Sequence, residues 1–313
     1  MSLPVTTLTL AARHGRLLLI GGLIAGALMP ALASALKPWL QELVALLLFL
    51  AALRVGPDRV TGSLRSAGST LGLTLLYQLL LPLAAAMLVL VCGLANTPAA
   101  LAVVLMLSAP SISGSPNLAI LSGADPAPAF RLLIVGTALL PLTVLPVFHV
   151  MPMLGSGGQV VHSAGRLLLV IAGAALAAFT LRRTILRQFD ARGIAALDGA
   201  SALTMAVVVI GLMSAVGPAL RTAPISLLFW IGFAFLVNFG FQIAAALLLR
   251  ISDAPQGLPA KAIVAGNRNI ALFLVALPPA TTDQLLMFIG CYQIPMYTTP
   301  LVLSAFYRRM ARG

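Results

Sequence analysis

Long apolar segments alternate with short polar connections along the whole chain. A membrane span needs about 20 apolar residues, and on this measure the pattern predicts ten spans. The connections are brief and rich in Gly, Pro and Asp, as expected for turns. The predicted fold class is therefore an all-α polytopic membrane protein with ten transmembrane helices. In chain order, the predicted spans are 17–35, 39–55, 68–93, 98–123, 129–152, 166–187, 201–219, 225–250, 258–279 and 282–307.

Two of the predicted spans contain a polar stretch that interrupts a helix. The fourth span contains Gly114–Asn117, and the ninth contains Gly266–Asn269. Both stretches begin with Gly and end with Asn, and they lie 152 residues apart. A second pattern, one Gly followed by two Pro, starts at Gly136 and again at Gly290, 154 residues apart. Two motif pairs at nearly the same offset predict an internal repeat.

The predicted repeats are residues 1–157 and 158–313, with five spans each. Because five is an odd number, the second repeat enters the membrane from the opposite side, so the repeats are inverted. Secondary transporters are often built in this way, and their discontinuous helices mark a binding site near the midplane of the bilayer. The sequence therefore predicts that the two interrupted helices cross at such a site.

The distribution of basic residues predicts the orientation of the spans. Cytoplasmic loops of membrane proteins are enriched in Lys and Arg. With a cytoplasmic N-terminus, Lys37, Arg166 and Arg221 fall on the opposite side, and Arg268 is the one basic residue inside a span. This asymmetry favours an even number of spans with both termini in the cytoplasm. We predict a multi-pass protein of a bacterial inner membrane.

The composition narrows the class of protein. Hydrophobic residues make up 60% of the chain and charged residues 8%, and the mean hydropathy is +1.07. These values are typical of a membrane protein and exclude a soluble domain of this size. The net charge of +12 would suit nucleic acid, but the basic residues cluster between apolar segments and form no amphipathic stripe. The predicted partners are the lipid bilayer and a small molecule, with no nucleic acid; the oligomeric state is not predicted.

The sequence contains no familiar catalytic pattern. A phosphate-binding loop, a serine nucleophile elbow and a zinc-protease motif are all absent, so we predict neither an enzyme nor an ATP-driven pump. Cys92 and Cys291 lie in separate apolar stretches and predict no metal or redox site. No catalytic residue, metal ligand or cofactor is therefore predicted.

Arg268 is the most informative single residue. A charged side chain inside a membrane is costly, so it usually lines a cavity or meets a partner. One hypothesis is that its guanidinium receives a carboxylate or another oxyanion. The other is that it caps carbonyl groups of the interrupted fourth span, and the two are compatible. The predicted substrate-binding residues are Ser113, Gly114, Ser115, Pro116, Asn117, Gly266, Asn267, Arg268 and Asn269.

Three further amide side chains lie inside apolar segments. Gln78 belongs to the third span, and Asn238 and Gln242 belong to the eighth. Lone amides in helix bundles usually join one helix to another. Their presence in the third span of each repeat raises the alternative that they bind an ion or support the crossing.

The order and spacing of these motifs resemble the bile acid:sodium symporter family. The resemblance rests on Gln78–Pro82, on the interrupted helices that contain Asn117 and Asn269, and on Gln293–Pro300. It covers most of the chain, from about residue 15 to 308. It implies a mobile core domain of helices 3, 4, 5, 8, 9 and 10 and a panel domain of helices 1, 2, 6 and 7. It also implies transport of organic anions, with sodium bound behind the crossing.

The chain departs from this family at residues that bind sodium there. Val264 stands at the position of the family's sodium-binding Glu, Arg268 at the position of a Gln, and Pro116 at that of a Ser; Phe130 and Ile134 replace hydroxyl ligands. A hard cation needs oxygen ligands and usually some negative charge, and Arg268 would repel it. Sodium is therefore allowed by the resemblance but disfavoured by these residues.

The predicted function is secondary transport of a small organic anion by alternating access. Arg268 would take the place of a bound cation, so that transport does not depend on sodium. Two alternatives stay open. One is a sodium-coupled organic-anion symporter with a modified sodium site, and the other is a membrane receptor or sensor that binds a ligand without transporting it.

Overall fold

A computed structural model of the chain describes residues 3–56, 68–155, 157–184, 190–251 and 257–310. Within these ranges the chain forms helices joined by short turns, and the β-structure of these residues is one isolated bridge. Four basic residues that the predicted orientation assigns to the cytoplasmic side, Arg59, Arg65, Arg187 and Arg312, lie outside the described residues.

Sixteen helices follow one another along the described residues. They are α1 (Leu3–Arg13), α2 (Gly15–Leu28), α3 (Pro30–Leu36), α4 (Leu40–Val55), α5 (Gly68–Leu75), α6 (Leu81–Val91), α7 (Pro98–Ser108), α8 (Ser115–Leu121), α9 (Ala127–Val150), α10 (Gly157–Thr184), α11 (Ala191–Leu212), α12 (Val216–Thr222), α13 (Pro224–Leu249), α14 (Leu258–Gly266), α15 (Pro279–Val302) and α16 (Ser304–Met310). Short 3-10 segments occupy Lys37–Trp39, Pro152–Leu154 and Ile270–Val275, and a π-helical segment, Leu76–Leu80, joins α5 to α6.

Seven helical runs in the described residues are long and apolar enough to cross a membrane. An eighth is added if α1 and α2, which meet at an angle of 81°, count as one broken span. The predicted all-α membrane architecture is confirmed at this level. The ten spans and the inverted repeat stay predictions, because the interrupted helices are too short to qualify as spans by length.

Several element boundaries differ from the predicted ones. The first predicted span, 17–35, is divided at Met29, because Pro30 has no N–H to continue α2. Helix α10 begins at Gly157, well before the predicted residue 166, since its first turns are polar and hydropathy does not register them. Helix α1 was not predicted at all, because its Thr residues lower its hydropathy.

The chain divides into two compact units. The first contains Met1–Gly62 and Leu168–Leu227, and the second contains Ser63–Leu167 and Leu228–Gly313. Each unit is therefore assembled from one part of the first half of the chain and one part of the second half.

Glycines allow the helices of the first unit to pack in direct backbone contact. A Cβ atom at Gly199 of α11 would lie 1.8 Å from the carbonyl oxygen of Leu8 in α1. A Cβ at Gly22 of α2 would lie 2.8 Å from the carbonyl oxygen of Ala206. Small residues of this kind are the usual means of close helix packing in membranes.

The second unit contains the two most completely buried helices. Every residue of α14 except Lys261 is buried, and most of α7 is buried as well. These two helices are also the ones that end at the interrupted stretches. The second unit therefore holds all of the residues that the sequence predicts for the site.

Candidate functional site

The first break lies at Ala109–Gly114, earlier than the predicted Gly114–Asn117, because Ser115–Asn117 form the first turn of α8; the second break begins at Asn267, inside the predicted stretch. Helix α7 ends at Ser108 because the next two residues are Ala109 and Pro110, and a residue before proline favours extended backbone. Ala109 has φ −67° and ψ 150°. Helix α14 ends at Gly266, and Asn267 leaves the helical region with φ −105° and ψ 87°.

The two interrupted stretches pair with each other through their backbones. The N–H of Ile112 donates to the carbonyl oxygen of Asn267 at 3.2 Å, and the N–H of Asn269 donates to that of Pro110 at 2.8 Å. Ser111 and Arg268 lie opposite each other in this short antiparallel bridge. Unwound backbone inside a membrane needs such partners, because each unsatisfied group costs several kcal/mol. Each break therefore stabilises the other.

Arg268 caps the ends of both interrupted helices. Its side chain is 2% exposed. Nε donates to the carbonyl oxygen of Ala265 at 3.0 Å, at the end of α14. Nη1 donates to that of Ala109 at 3.0 Å, just beyond the end of α7. The C-terminal end of a helix dipole is negative and attracts a cation, so one guanidinium neutralises two helix ends.

Two tyrosines complete the surroundings of Arg268. The guanidinium carbon lies 4.8 Å from the centre of the Tyr77 ring, which is a cation–π distance. The hydroxyl of Tyr292 accepts a hydrogen bond from the backbone N–H of Arg268 at 3.1 Å and donates one to the carbonyl oxygen of Gly266. Nη2 of Arg268 is buried and has no hydrogen-bond partner within the described residues.

These contacts bear on the two hypotheses for Arg268. The capping role is present, and it reaches the end of the fourth-span helix as well as that of its own helix. Contact with a ligand stays a prediction, for which Nη2 is the available donor.

A buried polar network lies behind the break that follows α14. Asn238 Nδ2 donates to the carbonyl oxygen of Gly266 at 2.6 Å. Gln242 Nε2 donates to Asn238 Oδ1 at 2.7 Å and to Thr299 Oγ1 at 3.1 Å. The Tyr307 hydroxyl donates to Gln242 Oε1 at 2.8 Å. These side chains join α13, α15 and α16 to the end of α14, and Asn238 contacts the last residue of that helix.

Asn267 belongs to the same network. Its Nδ2 donates to the carbonyl oxygen of Ile263 at 2.8 Å, and its Oδ1 lies 3.4 Å from Thr299 Oγ1. The side chain is fully buried. Its amide is therefore hydrogen-bonded within the protein, and its contact with a substrate stays a prediction.

Gln78 has a different environment from the other two amides. It lies in the π-helical segment, and its Nε2 donates to the carbonyl oxygen of Gly136 in α9 at 3.2 Å. A Cβ at Gly136 would lie 2.8 Å from Gln78 Oε1, so the glycine makes room for this amide. Oε1 is buried without a hydrogen-bond partner in the described part of the chain.

The first interrupted stretch divides into buried and accessible residues. The Ser115 hydroxyl is buried, donates to the carbonyl oxygen of Ile112 at 2.8 Å and shares a hydrogen bond with the Ser111 hydroxyl. Ser113 and Asn117 are exposed. In the described ranges, neither of them hydrogen-bonds to Arg268. Gly114, Pro116 and Asn269 are half-buried, and of these Asn269 carries a polar side chain.

Sequence reasoning missed four residues of the site: Tyr77, Tyr292, Thr299 and Tyr307. A phenol in an apolar segment usually finds a hydrogen-bond partner when it is buried, and this was the signal available for the tyrosines. Thr299 carried no signal, because a threonine inside a membrane helix commonly bonds to its own backbone, as this one also does to Pro295 at 3.0 Å.

Comparison with known proteins does not identify a family for this chain. No family model matches the chain, and no curated protein matches its sequence. Within the described residues, no group of three or more His, Cys, Asp and Glu side chains is placed to hold a metal ion. The resemblance to the bile acid:sodium symporter family therefore stays a prediction.

Proposed function

We propose that this protein is a secondary transporter for small organic anions in a bacterial inner membrane. It has ten spans in two inverted repeats, both termini are cytoplasmic, and it works by alternating access. The accessible polar groups around Asn117 and Asn269 hold polar parts of the substrate, and Arg268 supplies the positive charge.

The observation that carries this proposal is the position of Arg268. A guanidinium is buried where two interrupted helices pair, and one of its nitrogens has no partner within the described residues. Interrupted helices at matching repeat positions are a feature of transporter binding sites. A buried cation with only carbonyl and aromatic neighbours attracts an anion, because the anion neutralises its charge.

The contacts of Arg268 also support transport without sodium. Carbonyl oxygens are the ligands that a hard cation would use, and the guanidinium already donates to Ala265 and Ala109. Val264, where the family that the chain resembles has a carboxylate, is buried. A sodium ion at this place would lack the carboxylate that binds it in that family, and the guanidinium of Arg268 would repel it.

The division of the chain into two units supports the proposed mechanism. In the proposed numbering of spans, the unit Met1–Gly62 with Leu168–Leu227 contains spans 1, 2, 6 and 7, and the other unit contains the rest. This is the panel and core arrangement that the family resemblance implies. Alternating access in such transporters is largely a movement of one bundle against another.

The proposal is tested by uptake into proteoliposomes. The purified protein is reconstituted, and a panel of radiolabelled organic anions, taurocholate among them, is offered with and without a sodium gradient. We expect saturable uptake of at least one anion, unchanged when sodium is replaced by choline. Uptake that requires sodium would support the symporter instead. Binding of an anion without any uptake would support a receptor or sensor.

A further inference from the structure

Arginines from several helix ends gather at one end of the first unit. Arg54, at the end of α4, forms a two-point ion pair with Asp198 of α11. Arg182, near the end of α10, donates from Nη1 to the carbonyl oxygen of Leu53 at 2.6 Å. We call this group the arginine cluster, and its members are Arg13, Arg16, Arg54, Arg182 and Arg192.

Helix α11 carries Arg192 and contacts α1 and the start of α2 within one turn of Asp198. Asp190 caps α11 by accepting a hydrogen bond from the N–H of Gly193 at 2.7 Å, which puts Arg192 in the first turn. Gly199 touches the backbone of α1 at Leu8, and Gly15 lies 3.5 Å from Ala202 when a Cβ is built on it. From residue 192 to residue 202 a helix rises about 15 Å. The cluster therefore occupies a short length of α11.

Three of these arginines have no partner among the residues that the structure describes. Arg13, Arg16 and Arg192 are exposed, and within the described residues none of them forms an ion pair or a side-chain hydrogen bond. Asp198 already pairs with Arg54, and Asp190 is engaged at the start of α11. The cluster thus keeps several positive charges available to an external anion.

Exposed apolar side chains lie next to these free charges. Leu10 is 56% exposed and precedes Arg13 by about one helical turn; Leu17, next to Arg16, is 63% exposed. Helices α1 and α2 meet at 81° between the two arginines. Leucines beside arginines on a helix are typical of the interface between headgroups and acyl chains.

We propose that the arginine cluster binds the headgroup of an anionic phospholipid. The three unpaired arginines contact the phosphate, and Leu10 and Leu17 contact the first part of the acyl chains. A free phosphate ion would use the arginines alone and leave the leucines in water, so the structure favours a lipid as the occupant. Juxtamembrane basic residues strengthen binding to anionic membranes about five-fold per residue. This site is separate from Arg268, so the inference does not depend on the proposed transport function.

The test compares two variants with the same loss of charge. The first is Arg13→Gln/Arg16→Gln/Arg192→Gln. The matched control, Arg250→Gln/Arg308→Gln/Arg309→Gln, removes three arginines from the second unit. Each purified full-length protein in maltoside detergent is titrated with dioleoylphosphatidylglycerol, with dioleoylphosphatidylcholine and with inorganic phosphate. Native mass spectrometry counts bound lipids, and thermal unfolding measures the shift in Tm, since a ligand that binds the native state raises Tm.

We expect phosphatidylglycerol to bind and raise Tm in the wild type and in the control, and to bind about a hundred-fold more weakly to the cluster variant. Phosphatidylcholine and inorganic phosphate should have little effect on any of the three. Equal loss in both triple variants would overturn the inference, because it would show a general effect of charge. Equal binding of the two lipids, or a full response to phosphate alone, would overturn it as well. If the triple variant unfolds, the single variants are counted by mass spectrometry at low temperature, where each should lose about five-fold in affinity and unchanged affinity in all three would overturn the inference.

Discussion

Nη1 of Arg268 donates a 3.0 Å hydrogen bond to the carbonyl oxygen of Ala109, a residue 159 positions earlier in the chain. Nε of the same side chain binds the carbonyl oxygen of Ala265 in its own helix. A single guanidinium therefore links the ends of two interrupted helices and places a fixed positive charge between them. Substitutions of Arg268 can separate these two consequences, the mechanical link and the charge.

Replacing Arg268 removes both. In Arg268→Gln, a neutral side chain caps at most one of the two carbonyls, so we expect Tm to fall and the free energy of unfolding to drop by about 2 kcal/mol or more. We also expect uptake of anions to be lost. Arg268→Lys is the matched variant, because it keeps the charge but has no fork to span both carbonyls. It should keep a preference for an anion over its neutral isostere while losing stability. Equal uptake by the wild type and Arg268→Gln would leave only the structural role.

A double substitution tests whether Arg268 replaces a bound cation. Val264→Glu/Arg268→Gln exchanges the guanidinium for an amide and adds a carboxylate one turn earlier on α14. We expect sodium, but not choline, to raise the Tm of the double variant and to stimulate its uptake, because the freed carbonyls and the carboxylate suit a hard cation. The wild type and Val264→Glu alone should not respond, since in the latter the new carboxylate pairs with Arg268. A folded double variant that ignores sodium would contradict the idea.

The network behind α14 predicts an energetic coupling between Gln242 and Tyr307, which are far apart in sequence but hydrogen-bonded to each other. Tyr307→Phe removes the donor to Gln242 Oε1, which is buried. Leaving a buried acceptor unsatisfied costs about 1–3 kcal/mol. Gln242→Leu already lacks that acceptor, so adding Tyr307→Phe to it should cost much less. Thermal unfolding of the wild type, both single variants and the double variant measures the coupling. Additive effects would show that the hydrogen bond contributes nothing.

Replacement by alanine should damage the protein at Gly266 but be tolerated at Gly114. A Cβ at Gly266 would lie 2.0 Å from the carbonyl oxygen of Asn238, which is a backbone atom that cannot move alone. We expect Gly266→Ala to separate α13 from α14, to lower the yield of folded protein and to abolish uptake. At Gly114 the nearest atom to a new Cβ is 3.8 Å away, so Gly114→Ala should fold normally. Size-exclusion profiles and Tm compare the two; similar behaviour would contradict the packing described here.

The sequence predicts the presence of the interrupted helices better than the roles of their residues. Several Gly, Pro, Ser and Asn residues close together disfavour a continuous helix, so the breaks are largely local properties; single prolines are not enough, since α9 continues through Pro141 and Pro146. Arg268 is likewise identifiable because its charge is exceptional in its surroundings. The rotation of each short helix is not local, since it depends on what packs against it. Asn117 and Asn269 occupy equivalent positions in the two sequence motifs, yet the first is exposed on α8 and the second is half-buried, with its backbone N–H bonded to Pro110.

The number of spans shows the same limit. Hydropathy measures an apolar segment without regard to where its backbone turns, so it joins α7 and α8 into one predicted span and divides the region of α2, α3 and α4 at a different place. The contacts of Tyr307 are also beyond a sequence pattern, because the residue meets Gln242 across 65 positions of the chain.

The mutual pairing of the two breaks has a consequence for how the protein is made. The carbonyl of Pro110 and the N–H of Ile112 find their partners at Asn269 and Asn267, respectively, which leave the ribosome more than 150 residues later. At about 5–20 residues per second, this interval lasts roughly 10–30 s. During that time the earlier segment needs a substitute partner, such as water or the wall of the insertion machinery. Production of the two halves as separate polypeptides should therefore give stable protein only when both are synthesised in the same cell.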